Sequence, residues 1–110
     1  MSLTLTRNVG EAVILQAVDV TYRLTVLTCG AGRVRFSAVN LVTDQQVNRA
    51  IDRGGSKWNI FGDVWLDVSV TKGRSARLVF DAPREVVILR EELEAFAPDI
   101  RELRRYTRHA

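Results

Sequence analysis

Two stretches of this chain constrain its fold more than anything else in it: "YRLTVLTCGAGRVRFSAVN" and "VWLDVSVTKGRSARLVFDAP". In the first, Tyr22, Leu24, Val26 and Thr28 share one face at period two, and "CGAGR" offers two glycines able to take positive φ before "VRFSAVNLV" returns. In the second, Val64, Leu66, Val68 and Val70 share one face with Trp65, Asp67 and Ser69 opposite, and "KGRS" makes the turn. Period-two alternation on both sides of a short glycine turn predicts antiparallel hairpins. Arg35-Phe36 and Arg77-Leu78 can be matched by counting the first turn one residue longer. Any two hairpins look somewhat alike, so periodicity alone does not establish a duplication.

The remaining segments are read in the same way. Residues 3–7 and 12–15 predict strands, separated by "NVGE", whose Asn and Gly permit a turn or bulge. "TDQQVNRAIDRGG" predicts a helix over 43–53, with Thr43 as N-cap and Asp44 at its positive end. Val47, Ala50 and Ile51 form its apolar stripe, and Gly54-Gly55 form its stop. So short a helix must dock on the sheet to persist. Pro83 separates the strand before it from a last strand. A C-terminal helix is expected to begin near Glu91, and Pro98-Asp99 to start a basic helix with Ile100 and Leu103 as its narrow apolar face.

At 110 residues the chain suits one domain, 1–98, followed by a basic tail, 99–110. No apolar run approaches membrane-spanning length, and no basic-then-apolar leader opens the chain, so a cytoplasmic location with no membrane partner is expected. Cys29, the single cysteine, cannot form an internal disulfide and reads as a buried or semi-buried thiol. The formal charge is +3, and the last ten residues hold Arg101, Arg104, Arg105 and Arg108 against Glu102 alone, again 4 − 1 = +3. Such a tail is compatible with auxiliary RNA contact, and equally with a solvated helix face.

Catalytic patterns are missing. There is no phosphate-binding loop, nucleophile-elbow serine or Cys/His cluster for a metal, so neither metal nor cofactor is expected. "GAGRVR" lacks the third glycine of a dinucleotide fingerprint and lies in a hairpin turn. His109, next to the last residue, would pair with Cys29 only if the tail were ordered against it, and Glu91-Glu92 suit a helix start. The chain is not expected to be an enzyme.

Two segments carry a resemblance. "LTLTRNVGEAVIL" supplies Leu3, Leu5, Thr6, Arg7, Gly10 and Glu11, and a later segment supplies Gly62-Asp63, Ala82-Pro83-Arg84-Glu85-Val86 and Arg90-Glu91-Glu92-Leu93. In this order they resemble the carbon storage regulator (CsrA/RsmA) family: a strand L-x-L-T-R-R-x-G-E, a G-D hairpin, then A-P-[KR]-E-V-x-V-x-R-E-E-[IL]. The chain departs from that pattern at Asn8, where the family has a second arginine. It also carries about forty-five residues, from near Gln16 to Phe61, between segments the family keeps contiguous.

The resemblance implies a mainly β fold, a CsrA-like antiparallel sheet or barrel with interleaved strands. It also implies a translational regulator that binds GGA-containing hairpin loops of mRNA leaders, or small regulatory RNAs. In the family's intertwined dimers, each RNA site joins the first strand of one subunit to the last strand of the other. Residues 12–41 can be read as a second copy of the middle three strands at 60–81, joined to it by helix 43–53. The chain would then be a single-chain pseudo-dimer with one composite site; the alternative is a homodimer of chains each carrying an insert. The implied RNA-binding residues are Leu5, Thr6, Arg7 and Asn8 with Ile88, Leu89, Arg90 and Glu91, largely through main-chain groups, with Arg90 foremost. The plainer reading pairs Arg7 and Arg90 with Glu11 or Glu92 as surface charges, and uses Trp58 and Trp65 to dock the helix or cover the sheet rather than to stack bases. A different function class also fits the residues. With Asn8 weakening the positive surface, the chain could act through protein–protein contact with a family member or its antagonist.

Overall fold

Period-two alternation becomes strand throughout. The computed structural model describes residues 2–94 and contains β1 (Ser2–Asn8), β2 (Ala12–Gln16), β3 (Thr21–Gly30), β4 (Arg33–Asn40), β5 (Gln46–Asp52), β6 (Trp58–Phe61), β7 (Val64–Lys72), β8 (Ser75–Asp81) and β9 (Val87–Arg90), then one helical turn, α1 (Glu91–Glu94). They form two antiparallel sheets, ordered β1-β8-β7-β6 and β5-β4-β3-β2-β9. The inner faces pack on each other: Val13, Leu15, Leu24, Val26, Val34 and Phe36 of one sheet meet Val64, Leu66, Val68, Leu78 and Phe80 of the other. These side chains alternate with outward-facing ones, the arrangement a two-sheet core requires. Among the described residues no helix is long and apolar enough to cross a membrane.

The two hairpins share one register. Leu24↔Ala38, Val26↔Phe36, Thr28↔Arg35 and Cys29↔Val34 in β3–β4 correspond to Leu66↔Phe80, Val68↔Leu78, Val70↔Arg77 and Thr71↔Ala76 in β7–β8, every position 42 residues on. Even the register shifts coincide, between Val26 and Thr28 and between Val68 and Val70. Both turns hold two residues, so the longer first turn expected from the sequence is not present. Ala31 and Gly32 both have positive φ, whereas of Gly73 and Arg74 only the glycine does, two solutions that each match the twist of the flanking strands.

The mid-chain helix expected over 43–53 does not form. Residues 46–52 are β5, paired along β4 from Val39↔Gln46 to Arg33↔Asp52. Thr43 caps no helix. Asn40 organises a turn instead, its Oδ1 accepting from the backbone N–H groups of Val42 and Thr43 at 2.9 and 3.3 Å, with Asp44 at φ 63°. The positions 47 and 51 fit a helical stripe and a strand face equally well, and the open edge of β4 decides between them. A strand laid there gains a full ladder of backbone bonds, whereas an isolated short helix is marginal. Of the supposed stripe only Ile51 is buried, while Val47 and Ala50 are exposed. Of the C-terminal helix, the described residues include the turn Glu91–Glu94; the basic helix expected after Pro98 and the tail 99–110 lie outside them.

As a strand, β5 has a counterpart. Through the 42-residue correspondence of β4 and β8, Val47, Arg49, Ile51 and Asp52 of β5 stand where Leu3, Leu5, Arg7 and Asn8 of β1 stand, each 44 residues on. The following glycines, Gly10 and Gly54, also match, with φ of 91° and 75°. Likewise Trp58 and Asn59 of β6 face Leu66 and Trp65 as Val13 and Ile14 of β2 face Leu24 and Arg23. Only β9 has no counterpart among the described residues: it lies on β2, and nothing described lies on the matching edge of β6.

The tryptophans divide. Trp58 is buried beside Phe36, their ring centroids 6.3 Å apart, while Trp65 is 41% exposed on the outer face of its sheet. Cys29 is half-buried, its Sγ 3.2 Å from the carbonyl oxygen of Ser75 in the other sheet.

Candidate nucleic-acid interface

The first and last strands each end a sheet. β1 pairs on one side with β8, from Ser2↔Asp81 to Asn8↔Ser75, and β9 pairs on one side with β2, from Gln16↔Val87 to Val13↔Arg90. Each therefore has a second edge with no strand partner among the described residues, where backbone N–H and C=O groups are available to a ligand.

A buried arginine ties the two strands together. Arg7 is 5% exposed. Its Nη1 donates to Glu92 Oε2 and its Nη2 to Glu92 Oε1, both at 2.9 Å, a two-pronged pair between residues 85 positions apart. Nη1 also donates to the carbonyl of Ala12 at 3.1 Å, and Glu11 Oε2 lies 3.6 Å from Nη2. The planar guanidinium suits this use, since its fork meets both carboxylate oxygens while a further N–H serves a backbone acceptor.

The Arg7 hydrogen bonds, helped by the Glu92 backbone N–H and opposed by partial desolvation, hold the Glu92 carboxyl down to about 2 from its ordinary 4.5. A carboxyl with a lowered folded-state value contributes stability that is complete above its ordinary value and is lost as pH falls through the folded one. The thermal midpoint should therefore lose this contribution progressively between pH 4.5 and about 2, and Glu92→Gln should remove that part of the acid response. An identical acid profile for the variant would show that the pair does not titrate with folding.

The expected site residues fall into distinct environments. Leu5 is half-buried and packs on the main core, and Thr6 is exposed across from Arg77. Asn8 is exposed, its side-chain oxygen accepting from the Ser75 hydroxyl and its backbone N–H donating to Glu11 Oε1 at 2.7 Å. Ile88 belongs to the main core, while Leu89 joins Ile14 and Val87 in a small buried cluster on the opposite face of the same sheet. These two can offer a ligand only their main chain. Glu91 pairs with Arg23 at 3.1 Å, both roughly half exposed. Arg90 pairs with Val13 in the ladder, and its exposed guanidinium makes no ion pair or side-chain hydrogen bond among the described residues, its charge adding to the pull on the Glu92 carboxyl.

Of the two arginines in the implied set, Arg7 lies inside and Arg90 outside. Burial and the Glu92 carboxylate occupy Arg7, and of the two only Arg90 presents its guanidinium. Glu92, absent from the implied RNA-binding set, emerges as the residue that fixes β1 against the end of β9. The sequence signal for it was charge complementarity alone, which names Glu11 and Glu92 as candidates without choosing. Arg101, Arg104, Arg105 and Arg108 lie outside the described residues. Among those residues, no three His, Cys, Asp or Glu side chains converge to hold a metal ion. No protein-family model, curated protein sequence or solved structure matches the chain.

Proposed function

We propose that this chain is a sequence-specific RNA-binding regulator of translation, taking a GGA-containing hairpin loop at the junction of β1 and β9. The observation that carries the reading is the Arg7–Glu92 clamp, which ties the first strand to the turn that follows the last strand, with the exposed Arg90 guanidinium in no ion pair or side-chain hydrogen bond among the described residues. Single-stranded loops splay their bases, and such bases can be read by backbone groups at a strand edge while a cation meets the phosphates. The resemblance of "LTLTRNVGE" and "APREVVILREEL" to the carbon storage regulator pattern supplies the ligand class, because those segments are the two strands so joined.

On the same reading the chain is a one-chain counterpart of the family's intertwined dimer. Its first strand lies on the second hairpin unit and its last strand on the first unit. Since β9 occurs once, there is one composite site. Light scattering should give the mass of one chain, and titration one GGA hairpin per chain. A mobility shift should separate a GGA loop from a CCA loop on the same stem. Equal affinity for the two loops, or no binding at low salt, would remove the RNA reading and favour a protein partner. For the latter, the exposed Trp65 and Val70 on the outer face of the first sheet offer apolar contact.

A further inference from the structure

The strand that replaces the expected helix has a chemistry of its own. β5 ends its sheet as β1 ends the other, and six of its seven residues are exposed. Burial of Ile51 and the ladder to β4 hold it, so its outer backbone edge faces solvent. Where β1 has Leu5 and Val9, the equivalent positions here are Arg49 and Arg53, and Lys57 follows. Arg35 extends from the neighbouring strand, in register with Ala50. All four cationic side chains are exposed, and none makes an ion pair or side-chain hydrogen bond among the described residues. Asp52, on the strand itself, is already neutralised by Arg33, its Oδ1 accepting from Nε at 2.8 Å, while Lys57 also borders a depression shared with Asp67 and Asp81.

Two depressions flank the edge. One, of about 250 Å³, lies between segments 49–52 and 55–58. The other, of about 110 Å³, lies among Leu27, Arg35, Asn48 and Arg49. Arg49 borders both. Charges that merely guard an edge against aggregation need only stand on the strand itself. Here they continue beyond it, to Arg53 and Lys57, and onto β4, making a cationic track that crosses the strand.

We infer that the β5 edge is a second RNA contact, reading the phosphate backbone of single-stranded RNA that flanks the loop held at the β1–β9 junction. The inference rests on the proposed RNA reading and extends it. The counterpart edge has lost the clamp arginine (Ile51 stands in its place) and has no last strand beside it among the described residues, so these lack the parts that would read bases. What it has gained is charge, which binds phosphates without regard to sequence and with strong dependence on salt.

The test uses four RNAs: GGA and CCA hairpins, each bare and each with a single-stranded uridine extension. They are titrated over a salt series against the full chain and its Arg49→Ala/Arg53→Ala/Lys57→Ala variant. The three side chains are exposed, and an unchanged melting temperature verifies the variant's fold. For the unmodified chain the extension should tighten binding about tenfold and steepen the log–log salt slope by about 2, the yield of three neutralised phosphates on a single strand. The variant should lose both effects while binding the bare GGA hairpin as before. Equal gains from the extension in both proteins, or no gain in either, would overturn the inference. Loss of GGA-over-CCA preference would instead strike the proposed function, because the extension effect is read separately on either loop.

Discussion

Replacing Arg90 with alanine should lower affinity for the GGA hairpin by about 10- to 100-fold and leave the melting temperature unchanged. Arg90 closes β9 with its guanidinium exposed and without a partner among the described residues, so folding gains nothing measurable from it. Hydrogen bonds to a charged group contribute about 1.5–3 kcal/mol when the partner is otherwise desolvated, which sets that range of affinity. Arg90→Lys should fall between the two, because lysine keeps the charge and loses the planar fork. Arg77→Ala, on the strand beside β1 and across from Thr6, is a suitable control: it removes the same charge from beside β1 and not from the end of β9. If Arg90→Ala and Arg77→Ala weaken binding equally, RNA is held by general charge and not at this site.

Glu92→Ala should be the most destabilising change at the junction, and for the opposite reason. It leaves the Arg7 guanidinium buried with the Thr6 and Ala12 carbonyls and the Glu11 carboxylate, 3.6 Å away, as partners. Removing one member of a fully buried pair costs about 3–5 kcal/mol, and the Glu92 side chain is half exposed, so the cost here is about 2 kcal/mol. For a domain of this size that lowers the melting temperature by about 8–16 °C. The double variant Arg7→Met/Glu92→Ala should be more stable than Glu92→Ala alone, since the stranded charge is gone, and the difference measures the coupling. RNA affinity should fall in both variants, because β1 and the end of β9 are no longer held together. Additive losses in the double variant would show that Arg7 and Glu92 act independently.

These two residues show how far a sequence can be read here. Arg90 and Arg7 look alike on paper, each an arginine in a strand with glutamates nearby in the sequence. One is exposed and the other is 5% exposed, and the difference arises from a contact across 85 positions. Charge complementarity identifies Glu92 as a candidate partner, but a choice between Glu11 and Glu92 needs the path of the chain. The misread helix has the same origin. Val47 and Ile51 satisfy a period of 3.6 and a period of two, and the choice rests with the free edge of β4, which local sequence does not display. The consequence reaches the function. A helix at 43–53 would have been a linker, whereas a strand there gives the molecule a second β1-like edge and the cationic track on it.

The duplication illustrates an intermediate case. Alternation and glycine turns indicate two hairpins, yet matching them by local sequence calls for a first turn one residue longer. Cross-strand pairing removes that adjustment, because it aligns residues by hydrogen-bond partner, and the shared register shifts after Val26 and Val68 leave no offset to correct.

By itself, then, the sequence determined the strands of the two hairpins and the inward-facing Leu24, Val26, Val64, Leu66 and Val68, whereas Thr28 and Val70, expected on the same faces, lie past the register shifts and are exposed. Period-two burial and the φ preferences of turn residues act within a few positions along the chain. Tertiary structure alone decided that residues 46–52 extend a sheet, and that Arg7 of β1 is sealed against Glu92, just past the end of β9. Each of those outcomes depends on backbone edges and charges that become neighbours only after the two sheets have packed.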